Sequence, residues 1–91
     1  MTPDSLPIAP PALLTVLLFG ITRDIVGQST LQVAMPADDT VGGLLTTLRA
    51  RYPALAALRS LAVAVNSEYA AETDPLHPSD EIALIPPVAG G

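Results

Sequence analysis

The chain has 91 residues, 14% of them charged and 49% hydrophobic, with a mean hydropathy of +0.47. That balance excludes a charge-driven disordered protein and leaves one small domain with little room for a deep enclosed active site. Nine acidic residues against four basic ones give a net charge of −5, and the cations are Arg23, Arg49, Arg51 and Arg59 with no lysine. So sparse a positive footprint does not suit phosphate backbones, so nucleic acid is not an expected partner. A protein with a basic docking surface is. Cysteine is absent, which excludes disulfides, zinc–thiolate sites, iron–sulfur clusters and thiol nucleophiles.

Residues 1–12 hold Pro3, Pro7, Pro10 and Pro11 and show no apolar period. They are expected to form a flexible tail ahead of one domain over residues 13–86, followed by a flexible end over 87–91. The apolar run at residues 12–21 (ALLTVLLFGI) is about half of the ~20 residues a membrane-spanning helix requires. The segment before it carries Asp4 and no cation, unlike a secretory leader. No membrane is expected as a partner, and the expected location is the cytoplasm.

Residues 13–19 (LLTVLLF) are continuously apolar over a strand's length, as in a strand covered on both faces. Gly20 ends that run. Residues 21–26 (ITRDIV) are long enough for one helical turn closed by Gly27. Residues 30–34 (TLQVA) alternate, with Leu31 and Val33 against Thr30 and Gln32, which predicts a half-exposed edge strand. The clearest helix follows. Thr40 is a good N-cap behind Asp38 and Asp39, and Val41, Leu44, Leu45 and Leu48 form one stripe at i, i+3, i+4 and i+7. Gly42 and Gly43 weaken its first turn by about 1 kcal/mol each relative to alanine, so tertiary packing must hold it. Pro53 stops it after Tyr52.

After an alanine-rich connector, residues 61–65 (LAVAV) predict a third strand, turned at Asn66-Ser67 into a brief strand around Tyr69. Residues 73–80 (TDPLHPSD) form a proline-punctuated loop, and residues 81–85 (EIALI) the last strand. This order predicts an α+β roll: a mixed sheet of four to five strands, with one main helix across one face and the first and last strands at its centre. Both alternating sets of residues 13–19 are apolar. The face without the helix is therefore covered either by loops or by a partner, and both readings stay open.

Catalytic groupings are scarce. His77 is the one histidine, in a loop between Pro75 and Pro78, and reads as a solvated surface residue. Glu68, Glu72, Asp74, Asp80 and Glu81 read as a solvated rim rather than an acid–base pair or metal site. Gly42-Gly43 lacks the lysine and spacing of a phosphate loop. No metal, no bound cofactor and no active site of its own is expected. The ending Pro86-Pro87-Val88-Ala89-Gly90-Gly91 stands out, because stiff prolines project a tip that glycine leaves free of side chains. Such a tip can enter a narrow channel, with the α-carboxylate of Gly91 as its reactive group.

The run Phe19-Gly20, Arg23-Asp24, Val26-Gly27, the Thr40 helix, Val65-Asn66, Asp74-Pro75-Leu76, Asp80-Glu81 and the terminal PPVAGG resembles the small subunit of molybdopterin synthase. That family is of the MoaD type, within the ThiS/MoaD ubiquitin-like proteins. The resemblance spans residues 13–91 and implies a β-grasp fold and a sulfur carrier. It implies that a ubiquitin-activating-type adenylyltransferase uses ATP to activate Gly91, and that a sulfurtransferase step makes the thiocarboxylate. The tail then donates sulfur to a pterin precursor inside the synthase large subunit. On this likeness Gly91 reacts, Gly90 leads it in, and Pro86, Pro87, Val88 and Ala89 form the inserted stem. Phe19, Tyr69 and Ile85 correspond to an apolar docking patch, with ordinary core the alternative for Phe19 and Ile85, and Arg23 is a partner contact or a plain surface residue. The long N-terminal extension and Tyr69, where an aliphatic residue is expected, depart from the pattern. A carrier for thiamine, cysteine or tRNA thiolation, a ubiquitin-like modifier, and a binding module with an incidental diglycine are the competing readings.

Overall fold

The computed structural model describes residues 13–58 and 60–86. The expected tails at 1–12 and 87–91 lie outside them. Five strands form one sheet: β1 (Leu13–Leu18), β2 (Thr30–Ala34), β3 (Ala62–Val65), β4 (Glu68–Ala70) and β5 (Glu81–Ile85). Their spatial order is β2-β1-β5-β3-β4, with β1 and β5 parallel and the other neighbouring pairs antiparallel. The alternating edge strand and the central first and last strands stand as the sequence predicts. This is the mixed α+β roll.

One face of the sheet carries the core. Leu14, Val16 and Leu18 of β1 are buried beside Leu31 and Val33 of β2, Val63 of β3, and Ile82 and Leu84 of β5. Helix α2 (Val41–Arg51) adds Val41, Leu44, Leu45 and Leu48 to the same cluster, the stripe that its spacing predicts. Removing that much apolar surface from water is what holds a helix with two glycines in its first turn.

The start of α2 satisfies its free N–H groups completely. Val41 N donates to Asp74 O (3.0 Å), Gly42 N to Glu72 O (2.8 Å) and Gly43 N to the Thr40 hydroxyl (3.1 Å). The loop after β4 thus serves as a cap, and it also buries Leu76. The glycines are there for clearance. A β-carbon on Gly42 would sit 3.2 Å from Glu72 O, and one on Gly43 would overlap the Asp38 carboxylate.

One element departs from the sequence reading. The alanine-rich connector contains a further helical turn, α3 (Pro53–Ala56), whose Leu55 is fully buried. Pro53 ends α2 and opens α3, because proline lacks only an N–H that a first helical turn leaves unbonded anyway. The short α1 (Ile21–Val26) closes on Gly27 in the left-handed region, φ 90°, as expected.

Gly43→Ala should lower stability in the parent sequence, because the added methyl displaces Asp38. In the Asp38→Ala background the same change should raise stability by about 1 kcal/mol, the helix-propensity gain alone. A double-mutant cycle by urea unfolding checks the sign reversal.

Candidate functional site

The register places the outward-facing side chains in rows across the sheet. Leu17, Ala83, Ala64 and Tyr69 lie in one row over β1, β5, β3 and β4, since each is paired with the next. Ile85 pairs with Ala62 in the next row, and alternation carries Phe19, just past the end of β1, onto the same side. Two small alanines, Ala83 and Ala64, separate Leu17 from Tyr69 in that row. Phe19 is 50% exposed and Tyr69 76%, and Ile85 is half-buried. Phe19 therefore stands outside the core, while Ile85 is only partly covered. Tyr69 shares the face with Phe19 but stands on the far edge strand, about 14 Å across from β1 at three strand spacings.

Phe19 is fixed by a residue the sequence did not single out. Thr22 is fully buried, and its hydroxyl donates to Phe19 O (2.6 Å) while accepting from Phe19 N–H (2.9 Å). A threonine three residues beyond a strand end is the signal for such a local clasp. Arg23 is exposed one residue later on α1.

Gly20 does more than end β1. It has φ 55° and ψ −130°, a region closed to residues with a β-carbon. A β-carbon there would also lie 3.2 Å from Pro86 Cγ. The last described residue of the chain therefore leaves the sheet against Gly20, at the Phe19 end of the apolar face. Pro87, Val88, Ala89, Gly90 and Gly91 lie outside the described residues.

The other end of β5 is anchored by a polar cluster. Asn66, in the β3–β4 turn at φ 51°, accepts from Glu81 N–H (3.0 Å) and donates its side-chain amide to Asp80 (2.9 Å). The second Asp80 oxygen accepts from His77 N–H (2.8 Å). Asp80 is held below the ordinary carboxylate value, chiefly by that His77 N–H and then by the Asn66 amide. Slight burial opposes the shift, and the His77 charge adds to it. The His77 side chain is 73% exposed, in keeping with a solvated loop residue. Among the described residues no three His, Asp or Glu side chains gather as a metal site, and no helix is long and apolar enough to cross a membrane.

A β-grasp roll that delivers its C-terminal strand beside an exposed apolar face defines a protein of the ubiquitin-like class. The chain belongs to the ThiS family, which it matches over residues 16–91. The molybdopterin synthase sulfur carrier subunit of Arabidopsis thaliana is 38% identical over 77 residues, spanning 84% of this chain and 80% of that one. The subunit of the same name from Homo sapiens is 35% identical over 80 residues, spanning 84% and 91%. The crystal structure of small archaeal modifier protein 1 from Haloferax volcanii superposes with a TM-score of 0.73 at 32% identity, covering 87% of this chain and 99% of that one.

Two outcomes test this geometry. Gly20→Ala should cost about 1–3 kcal/mol in chemical denaturation, since the residue must hold a disfavoured backbone while pressing on Pro86. Asp80→Asn should lower Tm at neutral pH. The unfolded chain keeps the ordinary value near about 4, so the carboxylate's contribution is complete above it and is lost as pH falls through the lower folded value. The Tm gap between parent and variant should close over that acid range.

Proposed function

We propose that this chain is the sulfur carrier subunit of a molybdopterin synthase, with Gly91 as the reacting residue. The observation that supports this best is the placement of Pro86 against Gly20, at the border of the apolar face. A partner seated on Leu17, Phe19 and Ile85 is then positioned to receive residues 87–91 directly. Phe19, Tyr69 and Ile85 supply apolar contact, Arg23 a polar contact beside it, and Pro86 to Ala89 the inserted stem. The occupant is the synthase large subunit.

A carboxylate is a poor electrophile because its charge is shared over two oxygens. Adenylation by a ubiquitin-activating-type enzyme turns one Gly91 oxygen into part of a leaving group, with pyrophosphate released from ATP. A persulfide carried by a sulfurtransferase then displaces AMP to give an acyl disulfide, and a second thiol cleaves its S–S bond, forming a new disulfide and releasing the thiocarboxylate. Its anionic sulfur is the donor to the pterin precursor, and acid–base chemistry comes from the large subunit. Gly90 and Gly91 have no side chains to obstruct a channel.

A second reading has support of its own, from the 34% identity over 83 residues to the protein named small archaeal modifier protein 1 of Haloferax volcanii. In that reading the activated Gly91 is captured by lysines of other proteins.

Intact-mass analysis separates the two readings. After incubation with the activating enzyme, ATP and a sulfur donor, a carrier should take up one thiol-alkylating group per chain, mapping to the Gly91 peptide. No cysteine competes for the reagent. Conjugates through Gly91 to lysines of other proteins, with no alkylatable species, would favour the modifier. Deleting Gly90 and Gly91 should abolish sulfur transfer while leaving Tm nearly unchanged.

A further inference from the structure

We infer that Glu81 is an orienting charge of the docking face, paired in the complex with a basic side chain of the synthase large subunit. The inference rests on the sulfur-carrier reading and names the partner chemistry that the face demands. Among the strand residues that face outward, Glu81 is the one charge. Its neighbours there are Thr30, Gln32 and Ala34 on β2, Leu13, Thr15 and Leu17 on β1, and Ala83 and Ile85 on β5, followed by alanines and Tyr69. It sits in a polar row, Gln32–Thr15–Glu81, in which Gln32 donates to the Thr15 hydroxyl (3.0 Å). Among the described residues the Glu81 carboxylate makes neither a hydrogen bond nor an ion pair.

The residue is nonetheless firmly placed. Its N–H donates to Asn66 Oδ1 (3.0 Å) and its carbonyl accepts from Asn66 N (2.8 Å). A partner covering the adjoining apolar rows would strip water from this carboxylate, and a buried charge is tolerated when a counter-charge meets it. Glu81 stands five residues before Pro86, about 16 Å along the strand from the chain's exit beside Gly20. Arg23 is exposed on α1, three residues beyond Gly20, beside the equally exposed Asp24, so the two charges at that end cancel. With an anion fixed at one end of an apolar strip and no net charge at the other, one docking direction brings a basic side chain of the partner to Glu81 and the reversed one leaves the carboxylate unpaired. The favoured direction sends residues 87–91 towards the reacting centre.

The test is titration calorimetry of the full-length chain with its large subunit at two salt concentrations. The variants are Glu81→Gln and Glu81→Lys, beside Glu72→Lys as a control. Glu72 belongs to the loop that caps α2, and its reversal changes the net charge by the same amount. We expect roughly tenfold weaker binding for Glu81→Gln, with a shallower salt dependence, and roughly a hundredfold for Glu81→Lys. Glu72→Lys should stay within about twofold. Reversal of one basic residue of the large subunit should recover much of the Glu81→Lys loss. Equal affinities for Glu81→Lys and Glu72→Lys, with the parent binding normally, overturn the inference alone. A parent that does not bind the large subunit overturns the carrier reading and this inference with it. Glu81→Gln preserves shape and β5 pairing, so its weakened binding at unchanged Tm excludes a folding defect.

Discussion

The parallel pairing of β1 with β5 is the constraint on which the rest of the structure depends. It sets the first described strand against the last, with Thr15 opposite Glu81 and Leu18 opposite Leu84. A parallel pair cannot be joined by a tight turn, so everything between must travel around the core and return. The helix α2 and the strands β3 and β4 are that return path. Because β5 lies between β1 and β3, the C-terminal segment leaves from the middle of the sheet and not from an edge. It emerges where β1 also ends, and so beside Phe19 and Gly20. The exposed apolar face and the departing chain are neighbours because of strand order alone.

A second constraint works through α2. The helix is short and its first turn contains two glycines, which on propensity alone is a poor start. Those glycines admit the Glu72 backbone and the Asp38 carboxylate, and the loop carbonyls take up the free N–H groups of the first turn. The same loop continues through His77 to Asp80, whose carboxylate meets Asn66 at the entrance of β5. One run of chain therefore caps the helix and sets the start of the strand that carries the functional end. Weak propensity is exchanged for close tertiary contact.

Much of this was legible from apolar spacing. Alternation in TLQVA marked an edge strand, the Val41–Leu48 stripe marked the helix face, and the doubly apolar first strand marked the centre of the sheet. Spacing reports which side chains avoid water, and it was silent where backbone geometry decides. Leu55 was hidden in an alanine-rich stretch because one turn of helix is too short to show a period. Gly20 read as a stop signal, although its positive φ and its approach to Pro86 depend on a residue 66 positions later. Thr22 looked like any helix threonine until its hydroxyl met Phe19. Family likeness grouped Phe19 with Tyr69, and both are exposed on one face of the sheet. Their separation across four strands followed from register, which sequence spacing does not fix.

The two faces of the sheet are put to different uses in this small domain. The core face commits its apolar residues to folding, and strand alternation leaves the other set, Leu17, Phe19, Ala83 and Ile85, on the outward face. Gly20, Thr22 and Asn66 fix the two ends of this arrangement, the first two where β1 stops and Asn66 where β5 begins. β5 is hydrogen-bonded on both sides, to β1 and to β3, up to the point where the chain departs. The point at which the chain leaves the sheet is thus held by the same strands that hold the core.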